Sequence, residues 1–441
     1  MRANEPAAGA AQQGRLAGQV KVAGGQVGAI GDYATIFQFF GQAATPLSSL
    51  IRVAEFQPLV DERTRNFVGR EFVFTSINEA LGDDDFPSGY IVIRGEPGIG
   101  KTALMGMLVK ERGCVHHFNI APQGIRSPQA FLSNVCAQLV VRYELDHPAL
   151  PAEATQDGGF LSRLLSEAAA NADNLPIIVV VDALDEADDT GLTAGANRLF
   201  LPPSLPRGVY FIVSSRFEDD VRLFADAERP LYLREDDPKN LEDIGTYIEE
   251  YVRTGGDKMT AAIERWHLSE AEFATALTSK CEGNFMYLVH VLRDIRNGAL
   301  TADNVDDIRS LPQGLRAYYR RHWNDMRSAD QEHFRLYQEP VVCLLATVQE
   351  PVSLPQLIEW TRKYWKRRNW DSDALQLRAV KDVLGAWREF LNVDETDRSG
   401  ERYRVYHASF QDFLKDEVGL TAYHDTISDA ALAKIPGFVD A

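Results

Sequence analysis

A glycine-rich loop between an apolar strand pattern and a helical pattern most constrains what this chain can fold into. The segment YIVIRGEPGIGKTALM has the spacing G-x-x-x-x-G-K-T, which begins at Gly95 and ends at Lys101 and Thr102. Glycines let backbone N–H groups curve around phosphates, and the N-terminus of the following helix adds its dipole. Lys101 is expected to contact the β- and γ-phosphates of a nucleotide, and the Thr102 hydroxyl to bind Mg²⁺. The other loop residues expected at the nucleotide are Glu96, Pro97, Gly98, Ile99, Gly100 and Ala103.

Acidic residues follow the most apolar run of the chain, PIIVVVDALDEAD. A carboxylate at the C-terminal end of a buried parallel strand lies beside the phosphate-binding loop, so Asp182 is predicted to hold Mg²⁺. Hydrolysis needs a second acid that orients and deprotonates water, and either Glu186 or Asp185 suits that role. The alternative is that these acids only cap a following helix.

An arginine follows the next apolar run, in VYFIVSSRFED. In a sheet ordered like those of other P-loop ATPases, Arg216 would face the γ-phosphate and report its presence. The alternative is a surface arginine with no role.

The order of patterns predicts an α/β P-loop NTPase fold, with a parallel sheet and flanking helices, followed by an α-helical domain and a winged-helix domain. Strands are expected at Tyr90–Arg94, Val115–Ile120, Ile177–Asp182, Val209–Ser214 and Pro230–Leu233. Helices are expected at Leu241–Val252, Glu270–Lys280 and Phe285–Ile295, and a hairpin in FLNVDETDRSGERYRVYH. The predicted divisions are an arm at 1–55, the nucleotide-binding domain at 56–236, the helical domain at 237–310 and the winged-helix domain with C-terminal helices at 311–441.

Composition excludes several classes of function. The net charge of −18 over 441 residues disfavours a nucleic-acid partner, because phosphate backbones require clustered basic residues. Four separated cysteines encode neither a disulfide framework nor a zinc site. The longest aliphatic run, Ile177–Val181, is too short to span a membrane, and the start lacks the apolar core of a signal peptide. A soluble cytoplasmic protein is therefore expected.

Together these motifs make residues 67–417 resemble the NACHT class of STAND signalling ATPases. The most specific part of this resemblance is the acidic motif. Its pattern is Asp, a small residue, a hydrophobic residue, Asp and Glu, which this chain has at Asp182–Glu186. The resemblance implies an ATP/ADP switch in signalling or immunity that hydrolyses ATP slowly and forms homo-oligomers when ATP is bound.

Two further segments carry the resemblance. FVGRE is similar to the motif that contacts the adenine side of the nucleotide, which implies that role for Val68, Gly69 and Arg70. The alternative is an ordinary turn at the start of a domain. VYHASFQDFL resembles the winged-helix segment whose histidine touches the β-phosphate of ADP, which implies that role for His407. The alternative for this histidine is a structural residue at a strand end.

The sequence also departs from the family. Many relatives carry Gly-x-Pro, whose proline packs on adenine, where this chain has Gly283, Asn284 and Phe285. Phe285 is expected to pack on the base instead. Relatives usually continue into a sensor array, and this sequence ends at Ala441 before one, so the sensor is expected on a separate protein or a longer form of the chain.

The segment Gln19–Gly41 precedes the ATPase and contains turn signals and the uncharged, β-prone run IFQFF. It loosely resembles the short amyloid signalling motifs of some microbial NACHT proteins, which implies an effector protein contacted through the N-terminal arm. A flexible linker and a helix at Ala34–Phe40 docking on the ATPase are the alternatives.

Two other functions fit the same motifs. A continuously cycling ATPase of the AAA kind, such as a remodelling motor, would need fast turnover and an arginine supplied by a neighbouring subunit, which the sequence does not identify. A scaffold that holds nucleotide without hydrolysing it is disfavoured by the intact acidic pair.

Overall fold

The computed structural model describes residues 45–120, 125–173, 175–189, 192, 195–217, 221–301, 307–348, 350–371, 375, 377–396 and 400–433. The predicted signalling segment, Gln19–Gly41, lies outside these residues.

A five-stranded parallel sheet forms the centre of the first half of the chain, in the order β2-β3-β4-β1-β5. Its strands are β1 (Gly89–Gly95), β2 (Val115–Phe118), β3 (Ile177–Asp182), β4 (Val209–Ser215) and β5 (Glu228–Leu233). Every residue of β3 and β4 is buried. Unbroken β-branched runs suit strands that are covered on both faces, so the two most apolar runs lie in the middle of the sheet.

Helices cover both faces of this sheet. They are α1 (Leu47–Leu50), α2 (Val53–Thr64), α3 (Glu71–Leu81), α4 (Lys101–Arg112), α5 (Pro128–Arg142) and α6 (Gly159–Asn171). Alternate residues of β1 show the two layers: Tyr90 and Val92 pack with α5 and α6, whereas Ile91 and Ile93 pack with α2, α3 and α4. The predicted fold class is confirmed, although β2 ends two residues early and Ile120 forms an isolated antiparallel bridge with Ile125.

Three helices follow the sheet: α7 (Pro238–Arg265), α8 (Glu270–Cys281) and α9 (Phe285–Asn297). The side chain of Asp237 caps α7, and Asn284 caps α9 by accepting from the N–H groups of Met286 and Tyr287. Helix α7 is much longer than predicted and is kinked at Gly256, where φ is +59°. Acceptors at these N-caps satisfy N–H groups that the first helical turn leaves unpaired.

The C-terminal region is helical, with a three-stranded antiparallel sheet in the order β6-β8-β7. Its elements are α10 (Gly314–Ala329), α11 (Gln331–His333), α12 (Glu339–Thr347), β6 (Val352–Ser353), α13 (Leu354–Arg367), α14 (Leu377–Ala386), β7 (Leu391–Thr396), β8 (Gly400–Val405), α15 (Ala408–Glu417) and α16 (Thr421–Leu432). Strands β7 and β8 form the predicted hairpin, and one apolar core joins this region to α7, α8 and α9. Among the described residues, none of the helices has the length and apolar character that a membrane crossing requires.

The turn before α9 approaches the backbone that follows β5 so closely that it requires glycine. Gly283 has φ of +77°, and a Cβ there would lie 2.0 Å from the carbonyl oxygen of Glu235. Replacing Gly283 with alanine is expected to lower the free energy of unfolding by about 2–5 kcal/mol, from backbone strain and overpacking together.

Gly298, at the other end of α9, provides the control. Its φ of +76° is nearly the same, but no atom of the described part of the chain lies within 4 Å of a Cβ at that position. Gly298→Ala should therefore cost only the strain, about 1–2 kcal/mol. Denaturant unfolding of both variants measures the difference, and equal losses would show that the contact with Glu235 is unimportant.

Candidate nucleotide-binding site

A cavity of about 350 Å³ lies at the carboxyl ends of the parallel strands. Its walls come from the residues before α3, the glycine-rich loop, the ends of β3 and β4, helices α7 and α9, and the residues before α15. Ligands of open parallel sheets bind at this edge. The predicted site residues that line the cavity are Val68, Arg70, Pro97, Gly98, Ile99, Gly100, Lys101, Thr102, Ala103, Asp182, Asp185, Glu186, Arg216, Phe285 and His407.

Three predicted residues, Gly69, Gly95 and Glu96, do not line the cavity. A Cβ on Gly69 would lie 2.2 Å from Oδ1 of Asp243, so this glycine lets the loop before α3 pack against α7. Gly95 lies against the backbone of Leu233 in β5. The carbonyl groups of Gly95 and Glu96 nevertheless contact the site through Lys101.

Lys101 lies inside the glycine-rich loop. Its Nζ donates to the carbonyl oxygens of Gly95 at 2.7 Å and Glu96 at 2.9 Å. Burial lowers the pKa of this ammonium group, while Asp185 and Asp182 raise it. The loop carbonyls therefore hold the charged group at the place where phosphate oxygens would accept from it.

Asp182 ends β3 in a buried, polar contact network. The hydroxyl of Ser214 donates to its Oδ1 at 2.5 Å, and the side chain of Thr102 also bonds to it. Burial raises the pKa of this carboxyl group, and both hydrogen bonds oppose that rise. Hydroxyl and carboxylate oxygens are ligands that Mg²⁺ prefers, so the Thr102 and Asp182 pair fits this ion.

Arg216 bridges two acids from distant parts of the chain. Its Nε lies 3.1 Å from Oδ2 of Asp185, and its terminal nitrogen donates to Oδ2 of Asp412 in α15 at 2.7 Å. Strand β4 lies between β1 and β3. The residue that follows β4 therefore lies between the glycine-rich loop, which follows β1, and the acidic residues at the end of β3. The sequence did not single out Asp412, because nothing local indicates which arginine it pairs with.

His407 caps α15 and also faces the cavity. Its Nδ1 accepts from the backbone N–H of Ser409 at 3.2 Å. Burial, followed by the nearby charges of Arg63, Arg216 and Lys101, holds the pKa of the imidazole well below its usual range. The neutral ring therefore has its proton on Nε2, which leaves that nitrogen as a hydrogen-bond donor.

Arg70 and Phe285 lie against each other in the cavity wall beside the loop. The Arg70 guanidinium donates to the carbonyl oxygen of Ile99 at 2.6 Å and lies 4.9 Å from the ring centroid of Phe285. Tyr247 packs edge-on against Phe285 with centroids 5.5 Å apart. Burial lowers the pKa of Arg70 to about 10, and Asp243 opposes that fall. Planar groups of this kind suit the faces of a heterocyclic base.

Sequence reasoning missed much of the cavity wall. The sequence identified Phe285, but Val289, Arg293 and Arg296 continue the same face of α9, at a helical spacing that could have been recognised. Arg63 in α2 donates to the hydroxyl of Tyr406 at 2.6 Å, a contact between residues 343 positions apart that no local pattern could predict.

Basic side chains outnumber acidic ones in this wall. Among the described residues, the basic side chains are Arg63, Arg65, Arg70, Lys101, Arg216, Arg293 and Arg296, and the acidic ones are Glu62, Asp182, Asp185 and Glu186. In a chain with a net charge of −18, this local excess favours an anionic ligand.

Comparisons with known proteins locate the family resemblance in the same region. Residues 66–212 match the AAA ATPase domain family. No curated protein matches the chain. Similar solved structures include a Signal Transduction ATPase with Numerous Domains (STAND) protein with a tetratricopeptide repeat sensor from Pyrococcus horikoshii, at 14% identity and a TM-score of 0.39. The alignment covers 84% of this chain and 46% of that protein, so the present chain spans about half its length.

Two other solved structures are similar over most of their own length. A chain of Drosophila ORC bound to DNA has 15% identity and a TM-score of 0.33, with 83% of this chain and 98% of that chain covered. A RuvB mutant of Thermotoga maritima has 12% identity and a TM-score of 0.29, with 78% and 95% covered. The family match and the geometry of the loop and acidic strand end together identify an AAA-like P-loop ATPase domain in this chain.

Proposed function

We propose that the chain is an ATP/ADP switch of the STAND type, resembling its NACHT branch, and that the contacts across the cavity belong to its closed form. The observation that supports this proposal most is that the C-terminal region reaches the phosphate-binding loop. His407 lines the cavity with Lys101, and Asp412 binds Arg216. A switch needs such a contact, because a ligand shifts a conformational equilibrium only by binding one state better than another.

In the proposed hydrolysis, Lys101 binds the β- and γ-phosphates while Thr102 and Asp182 hold Mg²⁺. The ion would supply charge neutralisation at the phosphates. Glu186 suits the general-base role better than Asp185, because Nε of Arg216 lies 3.1 Å from Oδ2 of Asp185 and the guanidinium interacts more strongly with Asp185 than with Glu186. A carboxylate paired with a guanidinium is a weaker base, since the positive charge stabilises its ionised form. Glu186 therefore orients and deprotonates the attacking water.

Arg216 connects the bound nucleotide to the closed form. With ADP, it stays between Asp185 and Asp412, which holds α15 over the cavity. The γ-phosphate of ATP attracts the same guanidinium and competes with Asp412, because phosphate oxygens accept strong, charge-assisted hydrogen bonds. Loss of the Asp412 contact would release the C-terminal region, here proposed to be a winged-helix domain, and expose surfaces for homo-oligomer formation.

The test is to identify the nucleotide that co-purifies with the chain and to measure its mass in solution with ADP and with a non-hydrolysable ATP analogue. The proposal expects bound ADP, a monomer in ADP, a larger assembly in the analogue and slow turnover. Fast turnover with no change in mass would indicate a cycling motor instead. Bound nucleotide with no hydrolysis would indicate a scaffold.

His407→Ala is expected to favour the open form. A hydrogen bond from Nε2 to a phosphate of ADP would be worth about 1.5–3 kcal/mol, so its loss should speed ADP release by roughly 10- to 100-fold. The measurement is the release rate of a fluorescent ADP analogue, together with the mass of the variant in ATP.

His424, an exposed histidine in α16, gives the matched control. His424→Ala should release ADP at the wild-type rate and stay monomeric in ADP. If His407→Ala does the same, His407 only caps α15 and plays no part in the switch.

A further inference from the structure

The N-terminus of α9 hydrogen-bonds to two carbonyl groups of the glycine-rich loop. The side-chain amide of Asn284 donates to the carbonyl oxygen of Pro97 at 2.9 Å, and the backbone N–H of Met286 donates to that of Gly98 at 3.1 Å. Asn284 is only 4% exposed. These bonds cross from the helical region to the loop, so they fix the direction of two peptide groups in the proposed phosphate site.

The direction of a carbonyl group sets the direction of the N–H group in the same peptide. In a trans peptide the two point to opposite sides. With the Pro97 carbonyl held toward Asn284, the N–H of Gly98 points away from α9. The N–H of Ile99, paired with the Gly98 carbonyl, points back into the loop, 3.4 Å from the carbonyl oxygen of Glu96. Bonds from α9 therefore fix the orientation of both amides: that of Gly98 away from α9, and that of Ile99 toward the Glu96 carbonyl.

Asn284 is chemically suited to this position because its amide is a neutral double donor. Its Nδ2 also donates to Oε1 of Glu235 at 2.8 Å, while its Oδ1 caps α9. Burial raises the pKa of Glu235, and Glu96, Glu282 and Asp236 add to that rise. Oε2 of Glu96 is buried and has no hydrogen-bond partner among the residues that the structure describes. A carboxylate in place of Asn284 would meet this negative surrounding and could not donate to Pro97.

We infer that Asn284 is a positioning residue for nucleotide binding: it holds the Pro97 carbonyl outward so that the loop amides face the phosphates, and so couples α9 to the occupancy of the loop. This inference rests on the proposed function. It also gives a physical role to Asn284 in the Gly283-Asn284-Phe285 segment. Asn284 contacts the loop, and Phe285 lines the cavity.

The test is Asn284→Asp, which keeps the shape and the helix cap and removes the donors. ADP binding in the presence of Mg²⁺ should weaken by roughly 10-fold or more at pH 8. The affinity should recover as the pH falls to 6, because the new carboxyl group gains a proton. Glu235 lies 2.8 Å from this position, and Glu96, Glu282 and Asp236 act on Glu235. This negative charge raises the pKa of the new carboxyl group above that of an ordinary helix-capping aspartate, and a protonated carboxyl group can again donate to Pro97.

Asn297→Asp, the same change at the exposed end of α9, is the matched control and should bind ADP like the wild type at both pH values. Asn284→Asp with wild-type affinity at pH 8 would overturn the inference. A loss that is equal at pH 8 and pH 6 would also overturn it, since a general weakening of the fold does not depend on one proton. Wild-type chain that binds no ADP would instead overturn the proposed function, and the inference with it.

Discussion

Lys101→Ala is expected to abolish ATP and ADP binding. The Nζ atom of Lys101 is held by the carbonyl oxygens of Gly95 and Glu96 inside the loop, so the charge is already in place before a phosphate arrives. Hydrogen bonds to charged groups are worth about 1.5–3 kcal/mol each, and contacts to two phosphates would make the loss of affinity ~100-fold or larger. Calorimetric titration with ADP and with an ATP analogue measures it.

Lys110, which is exposed in the last turn of the same helix α4, provides the control. It tests whether the loss of a positive charge anywhere on this helix weakens nucleotide binding. Lys110→Ala removes one positive charge from the same element and should leave both affinities within about 2-fold of the wild type. Equal affinity in the wild type and Lys101→Ala would remove the phosphate-binding role of the loop altogether.

The sheet could be predicted from the sequence because its signals are local. Buried parallel strands read as continuous apolar runs, and β3 and β4 are the two longest of these. The motif at Gly95–Thr102 fixes where β1 ends and α4 begins. Once the strands are placed, the carboxyl ends of β1 and β3 and the residue after β4 must lie at one edge. Most of the predicted site residues therefore line a single cavity.

The contacts between the sheet and the later helices could not be predicted in this way. Asp412 pairs with Arg216 across 196 residues, and Asn284 bonds to Pro97 across 187. Each of these side chains has an ordinary local interpretation, as a surface acid of a helix or as a helix cap. Only the packing of α9 and α15 against the loop decides which partner each one meets.

The assignment of the general base to Asp185 or Glu186 could not be made from the sequence either. Asp185 and Glu186 are adjacent, and both line the cavity, so the sequence left the general base open. Arg216 interacts more strongly with Asp185, whose side chain is 6% exposed, and we propose Glu186 as the base on that ground. An ion pair of this kind holds the carboxylate in place, which suits an acid that positions Arg216.

Glu186→Gln is therefore expected to keep ATP and lose its hydrolysis. Glutamine retains the size and the hydrogen-bonding oxygen of the side chain but cannot take a proton from water, and general-base catalysis is typically worth about 100- to 10,000-fold. Single-turnover hydrolysis should fall by roughly that factor, while the affinity for ATP stays within about 3-fold of the wild type, because the change removes an interaction made only in the transition state.

Asp185→Asn is the comparison variant in the same loop. It should slow hydrolysis less than Glu186→Gln does and should weaken the closed form, because Arg216 loses one of its two acidic partners. If Asp185→Asn shows the larger loss of hydrolysis and Glu186→Gln turns over at the wild-type rate, Asp185 is the base and its pairing with Arg216 must break before the reaction.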